Sequence, residues 1–126
     1  MSRLVVDAIQ TEMLLTHGGL PGLRDPDLVE SALARPRQRF VYDATADLAS
    51  LAAAYEFGLA LDHPYRDGNK RVAFVTMAVF LGLNGLALTA AEAEVVTTMV
   101  ALAAGALDEP TLADWIRLHT EPRREK

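Results

Sequence analysis

Between His63 and Arg71 the chain reads His-Pro-Tyr-Arg-Asp-Gly-Asn-Lys-Arg, so a base, a carboxylate, a glycine and several cations fall within nine residues. These are the parts needed to handle a nucleotide phosphate. The imidazole of His63 titrates near neutrality and suits a base that takes the proton of an attacking hydroxyl. Asp67 has no direct use against an anion, but a carboxylate there suits Mg²⁺, which takes one or two carboxylates together with phosphate oxygens and water. Gly68 lets the backbone approach a phosphate, with Asn69 beside it. Lys70 and Arg71 add charge, the arginine able to fork onto two oxygens. Singly, each residue has a plainer role: His63 as a C-terminal cap, Asp67 or Asn69 as an N-cap, Lys70 and Arg71 as solvated helix positions. Capping, however, needs one Asp or Asn and does not call for all these types in this order.

The elements around the run explain its placement. An Ala- and Leu-rich helix from about Asp47, capped by Asp43 or Thr45, reaches Leu61, and Pro64 disfavours helical geometry at the residue before it. Val72, Val75, Met77, Val79 and Phe80 then resume an apolar helical pattern from about Asn69 to Leu83, with Gly85 as its stop. The run is a helix-to-helix turn, and the start of the second helix, with unpaired N–H groups and a positive dipole end, is an anion site.

The rest of the chain predicts an all-α fold, a compact bundle of about six helices in a single domain over residues 1–126. The first helix, Leu4 to Leu15, aligns Val5, Ile9 and Met13. Asp25-Pro26 opens a second, to Ala34, which Pro36 closes. Thr89 to Glu92 fits a capping box for a fifth helix that stops near Gly105. Asp108-Glu109-Pro110 starts the last, which carries Trp115 as a core residue and ends before Pro122, with a frayed tail from Arg123. Leu86-Ala87-Leu88 allows a brief extended segment. His17 and His119 are read as a cap or surface residue and as a partner of a helix C-terminus.

Composition narrows the function classes. A net charge of −5 argues against direct nucleic-acid binding, which relies on a basic surface. One local exception, Arg35-Pro36-Arg37-Gln38-Arg39, reads either as a solvated interhelical loop or as a basic rim for a nucleotide or an acidic partner. The longest apolar stretch, around Leu48 to Leu61, is too short and too polar to span a bilayer. No secretory pattern is seen, and there are no cysteines for disulfides or thiolate metal sites, so the expected location is the cytoplasm.

The run from His63 to Arg71 resembles the signature of Fic-domain proteins, His-Pro-Phe-x-Asp/Glu-Gly-Asn-Gly-Arg-x-x-Arg. It is more similar still to the Doc branch of that family, the toxins of Phd/Doc toxin–antitoxin modules. In adenylylating Fic proteins Gly follows the Asn and a second Arg stands three residues after the first; here Lys70 and Phe74 occupy those positions. Lysine after the Asn is typical of Doc-like proteins. The segment from His17 to Asp25, with its Gly-Gly-Leu-Pro-Gly loop, and Leu28 to Pro36 also resemble the start of Doc-type proteins, so the likeness spans most of the chain.

What the resemblance implies is a protein kinase-like enzyme that transfers the γ-phosphate of ATP, with Mg²⁺ held by Asp67, to a threonine of elongation factor Tu and so arrests translation. His63, Asp67 and Arg71 would be catalytic, and Gly68, Asn69, Lys70 and Arg71 would bind the phosphates. The chain lacks the family's inhibitory Ser/Thr-x-x-x-Glu-Gly/Asn helix. Restraint would then come from a Phd-like antitoxin that lays a C-terminal helix into a groove, with any DNA contact made by the antitoxin. Two other readings stay open at this point: a Fic-type adenylyltransferase and a catalytically idle fold that acts as a binding partner.

Overall fold

The computed structural model describes residues 1–20, 22–42, 47–62, 64–65 and 68–123. Among these it shows the expected all-α architecture: α1 (Arg3–His17), α2 (Pro26–Tyr42), α3 (Leu48–Asp62), α4 (Asn69–Leu83), α5 (Glu92–Ala103) and α6 (Glu109–Leu118). Two three-residue strands, β1 (Leu86–Leu88) and β2 (Thr120–Pro122), pair antiparallel with Ala87 opposite Glu121. The extended segment at Leu86 is therefore not isolated. The chain end returns to it, and the N–H of Arg123 donates to the carbonyl of Gly85 at 2.8 Å, so the tail is anchored as far as Arg123.

Helix α3 is the axis of the fold, packed against α2, α4 and α6. Ala49, Ala52, Ala53, Ala54 and Ala60 are buried along it, and small side chains let its neighbours approach on several sides. Leu59 of α3, Leu33 of α2, Met77 and Leu81 of α4, Leu102 of α5, and Leu112 and Ile116 of α6 are fully buried around that axis. Each such side chain contributes on the order of 1.5–3 kcal/mol by leaving water. Gly58 marks the closest approach, since a Cβ there would meet Arg35 Cδ at 2.9 Å and the Ala32 carbonyl oxygen at 3.3 Å. Trp115 lies at the margin, half-buried against the core and stacked on His119 at 4.5 Å between ring centroids.

Three local expectations change. Helix α2 does not stop at Ala34 but continues through Pro36 to Tyr42. Proline removes the donor that would have served the Ala32 carbonyl; tertiary contacts offset that loss, because Arg35 and Arg39, one turn apart, both pair with Glu109 of α6. The arginine-rich stretch is therefore neither an interhelical loop nor an open basic rim. On α1 the buried residues are Val6 and Gln10, one position on from the expected stripe, with Val5 exposed and Ile9 packed at the core margin. Helix α5 starts at Glu92 after Ala91, so Glu94 rather than Glu92 reaches back, its Oε1 accepting from the Ala91 N–H at 3.2 Å.

The start of α3 is capped by Asp47, whose Oδ1 accepts from the Ser50 N–H at 2.9 Å; Asp43 and Thr45 lie outside the described residues. Asp25 caps α2 as expected, accepting from the Asp27 N–H at 2.9 Å. Among the described residues no helix is long and apolar enough to cross a membrane.

Candidate functional site

The turn between α3 and α4 carries the candidate site. His63, Arg66 and Asp67 lie outside the described residues; Pro64, Tyr65 and Gly68 to Arg71 are placed. Pro64 and Tyr65 are buried. The Pro64 carbonyl accepts from the N–H groups of Arg24 and Asp25 at 2.9 and 3.3 Å, and Tyr65 forms an isolated antiparallel bridge with Leu23. Arg24 also donates through Nη2 to the carbonyl of Asp62 at 2.8 Å, satisfying an oxygen at the end of α3. The loop after Gly19 thus serves as the backing on which the turn is laid.

Asn69 does a different job from the one its position suggests. Its Oδ1 accepts from the Tyr65 N–H and its Nδ2 donates to the Tyr65 carbonyl, both at 2.9 Å. One side-chain amide thereby satisfies both backbone polar groups of a buried residue, which would otherwise carry a desolvation penalty of about 1–3 kcal/mol each. Asn69 clamps the turn rather than capping the helix. The N-cap is Gly68, with φ 75° and ψ 14° and no side-chain cap hydrogen bond. A Cβ at Gly68 would meet nothing within 4 Å, so the requirement for glycine there is the left-handed backbone and not space.

Lys70 and Arg71 are exposed in the first turn of α4, which holds no acidic residue. Among the described residues neither makes an ion pair. The first intrahelical bond runs from the Val72 N–H to the Gly68 carbonyl at 3.0 Å, so the N–H groups of Asn69, Lys70 and Arg71 precede the ladder. Donors, dipole and two cations coincide, which is the arrangement a phosphate group needs. Phe74, one turn further, is half-buried and packed against the core, so this part of α4 contributes hydrophobic contact in place of a second guanidinium.

Behind the turn stands a layer that the sequence pattern did not single out. The Tyr65 hydroxyl donates to Asp7 Oδ1 of α1 at 2.6 Å. Deeper in α3, Glu56 is only 1% exposed, its Oε1 has no partner among the described residues, and burial pushes its carboxyl up to about 8. His17, at the end of α1, is exposed. A cleft of about 440 Å³ opens beside Tyr65, lined by Asp7, Gln10, Leu14, Leu15 and Leu23. No group of three or more metal-ligating side chains occurs among the described residues; Asp67, the expected magnesium ligand, lies outside them.

With this geometry in place, comparison with known proteins gives the lineage. The Fic/DOC family profile matches residues 2–81. The protein kinase doc of Escherichia phage P1 is 31% identical over 110 residues, covering 87% of this chain and 86% of that protein. The toxin Doc of Mycolicibacterium smegmatis is 42% identical over 78 residues, 60% of this chain and 59% of that protein. The family match over residues 2–81 and the likeness to two Doc proteins, on a chain whose α4 opens with two exposed cations, place this protein in the Fic/Doc family, among the Doc toxins.

Proposed function

We propose that the chain is the toxin of a type II toxin–antitoxin pair and that it moves the γ-phosphate of ATP to a hydroxyl of a translation factor in the cytoplasm, a threonine of elongation factor Tu being the first candidate. The observation that carries this reading is the start of α4, where Gly68 offers no side-chain cap and Lys70 and Arg71 stand exposed in the first turn. Phosphoryl transfer needs little covalent help from the protein; most of the catalysis is positioning and neutralisation of charge.

In this reading Arg71 forks onto two oxygens of the nucleotide, Lys70 follows as a mobile charge, and the N–H groups of residues 69–71 hold the same phosphates. His63 accepts the proton of the attacking hydroxyl. Asp67 would hold Mg²⁺, whose charge would offset that of the phosphates. Lys70 after Asn69 and Phe74 in place of a second arginine favour transfer of the γ-phosphate over adenylylation, because the second guanidinium that completes the adenylylating phosphate site is absent from α4.

Control would come from a Phd-like antitoxin that docks an amphipathic helix. A recess of about 470 Å³ between α2, α3 and α4, lined by Phe40, Leu51, Tyr55 and Phe80 and leaving Phe40 70% exposed, offers the apolar groove that such a helix requires. This reading predicts a small antitoxin gene beside this one, and the test is expression in cells with and without that neighbour, followed by intact-mass analysis of elongation factor Tu. Growth arrest relieved by the neighbour, with a phosphate mass added to the factor, is the expected result. Arrest with an unmodified factor would assign a different target, and an added AMP mass would assign adenylylation.

A further inference from the structure

We propose that Asp7 of α1 is a positioning residue for the phosphate turn, acting through the buried hydroxyl of Tyr65; this rests on reading residues 63–71 as the transfer site. The Fic signature has phenylalanine where this chain has Tyr65. The hydroxyl that Tyr65 adds lies in a residue only 3% exposed and has a defined partner, Asp7 Oδ1 at 2.6 Å, fifty-eight positions away in sequence. The second Asp7 oxygen, Oδ2, is 3.4 Å from Arg3 Nε, and Arg3 Nη1 is in turn 3.7 Å from Glu30 Oε1 of α2. A line of polar contacts therefore runs from the turn through α1 to α2.

The backbone of Tyr65 is already fixed locally by Asn69 and by the bridge to Leu23. What those contacts leave free is the ring, and the ring is what Asp7 holds. Burial, then the bond to Asp7, pushes the phenol well above its usual range, so it stays protonated and remains a donor at any working pH. The two ends of the bond are unequal. Asp7 keeps 38% of its side chain in water and can be hydrated if its partner is lost, whereas Tyr65 is 3% exposed and water can reach its hydroxyl only from the cleft the two residues share. Removing the acceptor, which leaves a donor to be satisfied, should therefore disturb the turn more than removing the donor.

The experiment measures ATP-dependent transfer and amide exchange across residues 64–71 in the full chain, for Asp7→Ala, Asp7→Asn, Tyr65→Phe and the Ala/Phe double variant. Asp7→Ala is expected to lower kcat roughly 10- to 100-fold, the scale of a small misplacement of reacting groups, with the KM for ATP within about twofold. Tyr65→Phe should lose less, Asp7→Asn should recover most of the loss by keeping an acceptor oxygen, and Asp7→Ala should add little in the Tyr65→Phe background. Exchange in the turn should quicken in Asp7→Ala while α6 stays protected. A wild-type kcat with unchanged exchange in both Asp7→Ala and Tyr65→Phe would overturn the proposal, as would equal losses from Asp7→Ala with and without the hydroxyl. If Asp7→Ala fails to fold, the isosteric Tyr65→Phe alone decides, through its kcat and its exchange. If the wild-type chain transfers nothing, the reading of the site fails, and the exchange measurements still judge the anchor.

Discussion

Two sides of the central helix α3 are built on different rules. On the α6 side most charge is paired: Asp108 caps α6 by accepting from the Thr111 N–H at 2.9 Å, and Glu109 receives both Arg35 and Arg39, with Arg35 Nε the one buried donor there left without a partner among the described residues. Arg117 forks onto Asp47 at 2.7 and 3.0 Å, and its hydrogen bonds hold the Asp47 carboxyl well below the usual carboxylate range. On the α3–α4 side, among the described residues, Glu56 Oε1 and Thr76 Oγ1 are buried without partners, and Lys70 and Arg71 sit at the positive end of a helix dipole where acids would be the stabilising choice. The first side is held by paired charges. The second accepts unfavourable local electrostatics that an incoming anion would relieve, and that contrast points to the site more clearly than any single residue does.

Arg71→Ala should give the largest separation between the two sides. We expect transfer to fall by about 10²- to 10³-fold, the scale for removing one preorganised charge donor from a transition state, with thermal stability held, checked by single-turnover kinetics beside a melting curve. A comparable loss of stability would mean that Arg71 belongs to the fold and not to the site.

The unpartnered Glu56 carries the next effect. Its folded-state carboxyl is raised from an ordinary 4.5 to about 8 by burial, so between those values the folded chain holds a proton that the unfolded chain has released. Stability should therefore decline as pH rises across that window, at up to about 1.4 kcal/mol for each pH unit. Glu56→Gln should flatten the decline, read from urea midpoints at pH 5 and pH 8. Equal slopes in both chains would show that Glu56 is paired in solution.

Lys70→Glu inverts the logic of the α4 start. An acid in the first turn should stabilise the helix by about 0.3–1 kcal/mol, while repulsion of the phosphates lowers transfer by roughly tenfold or more. Activity and stability moving in the same direction would break the contrast. Asp108→Ala, on the opposite side, should remove about 1 kcal/mol of stability through its cap and leave transfer unchanged.

How much of this was legible beforehand depended on the range of the forces involved. The helix starts at Pro26, Asn69 and Glu109 were readable because caps and proline act over one turn, and the motif from His63 to Arg71 was readable because its parts are contiguous. The run of α2 past Pro36 was not, since what sustains it is Glu109, more than seventy positions away. The pairing of Leu86–Leu88 with the chain end and the hold of Asp7 on Tyr65 were hidden for the same reason. Asn69 was assigned to the phosphate site through its backbone; that its side chain also clamps Tyr65 is set by a backbone turn that composition does not reveal. His63 and Asp67 lie outside the described residues, so their roles as base and metal ligand stand on the motif.

The central claim is that the doubly cationic start of α4 holds ATP for transfer of its terminal phosphate. The direct test incubates the purified chain with Mg²⁺ and elongation factor Tu, using ATP labelled at the γ-phosphate in one reaction and at the α-phosphate in a parallel one. The account predicts γ-label on the factor, none from the α-labelled nucleotide, and loss of the signal in Arg71→Ala. Label from the α-position would contradict it.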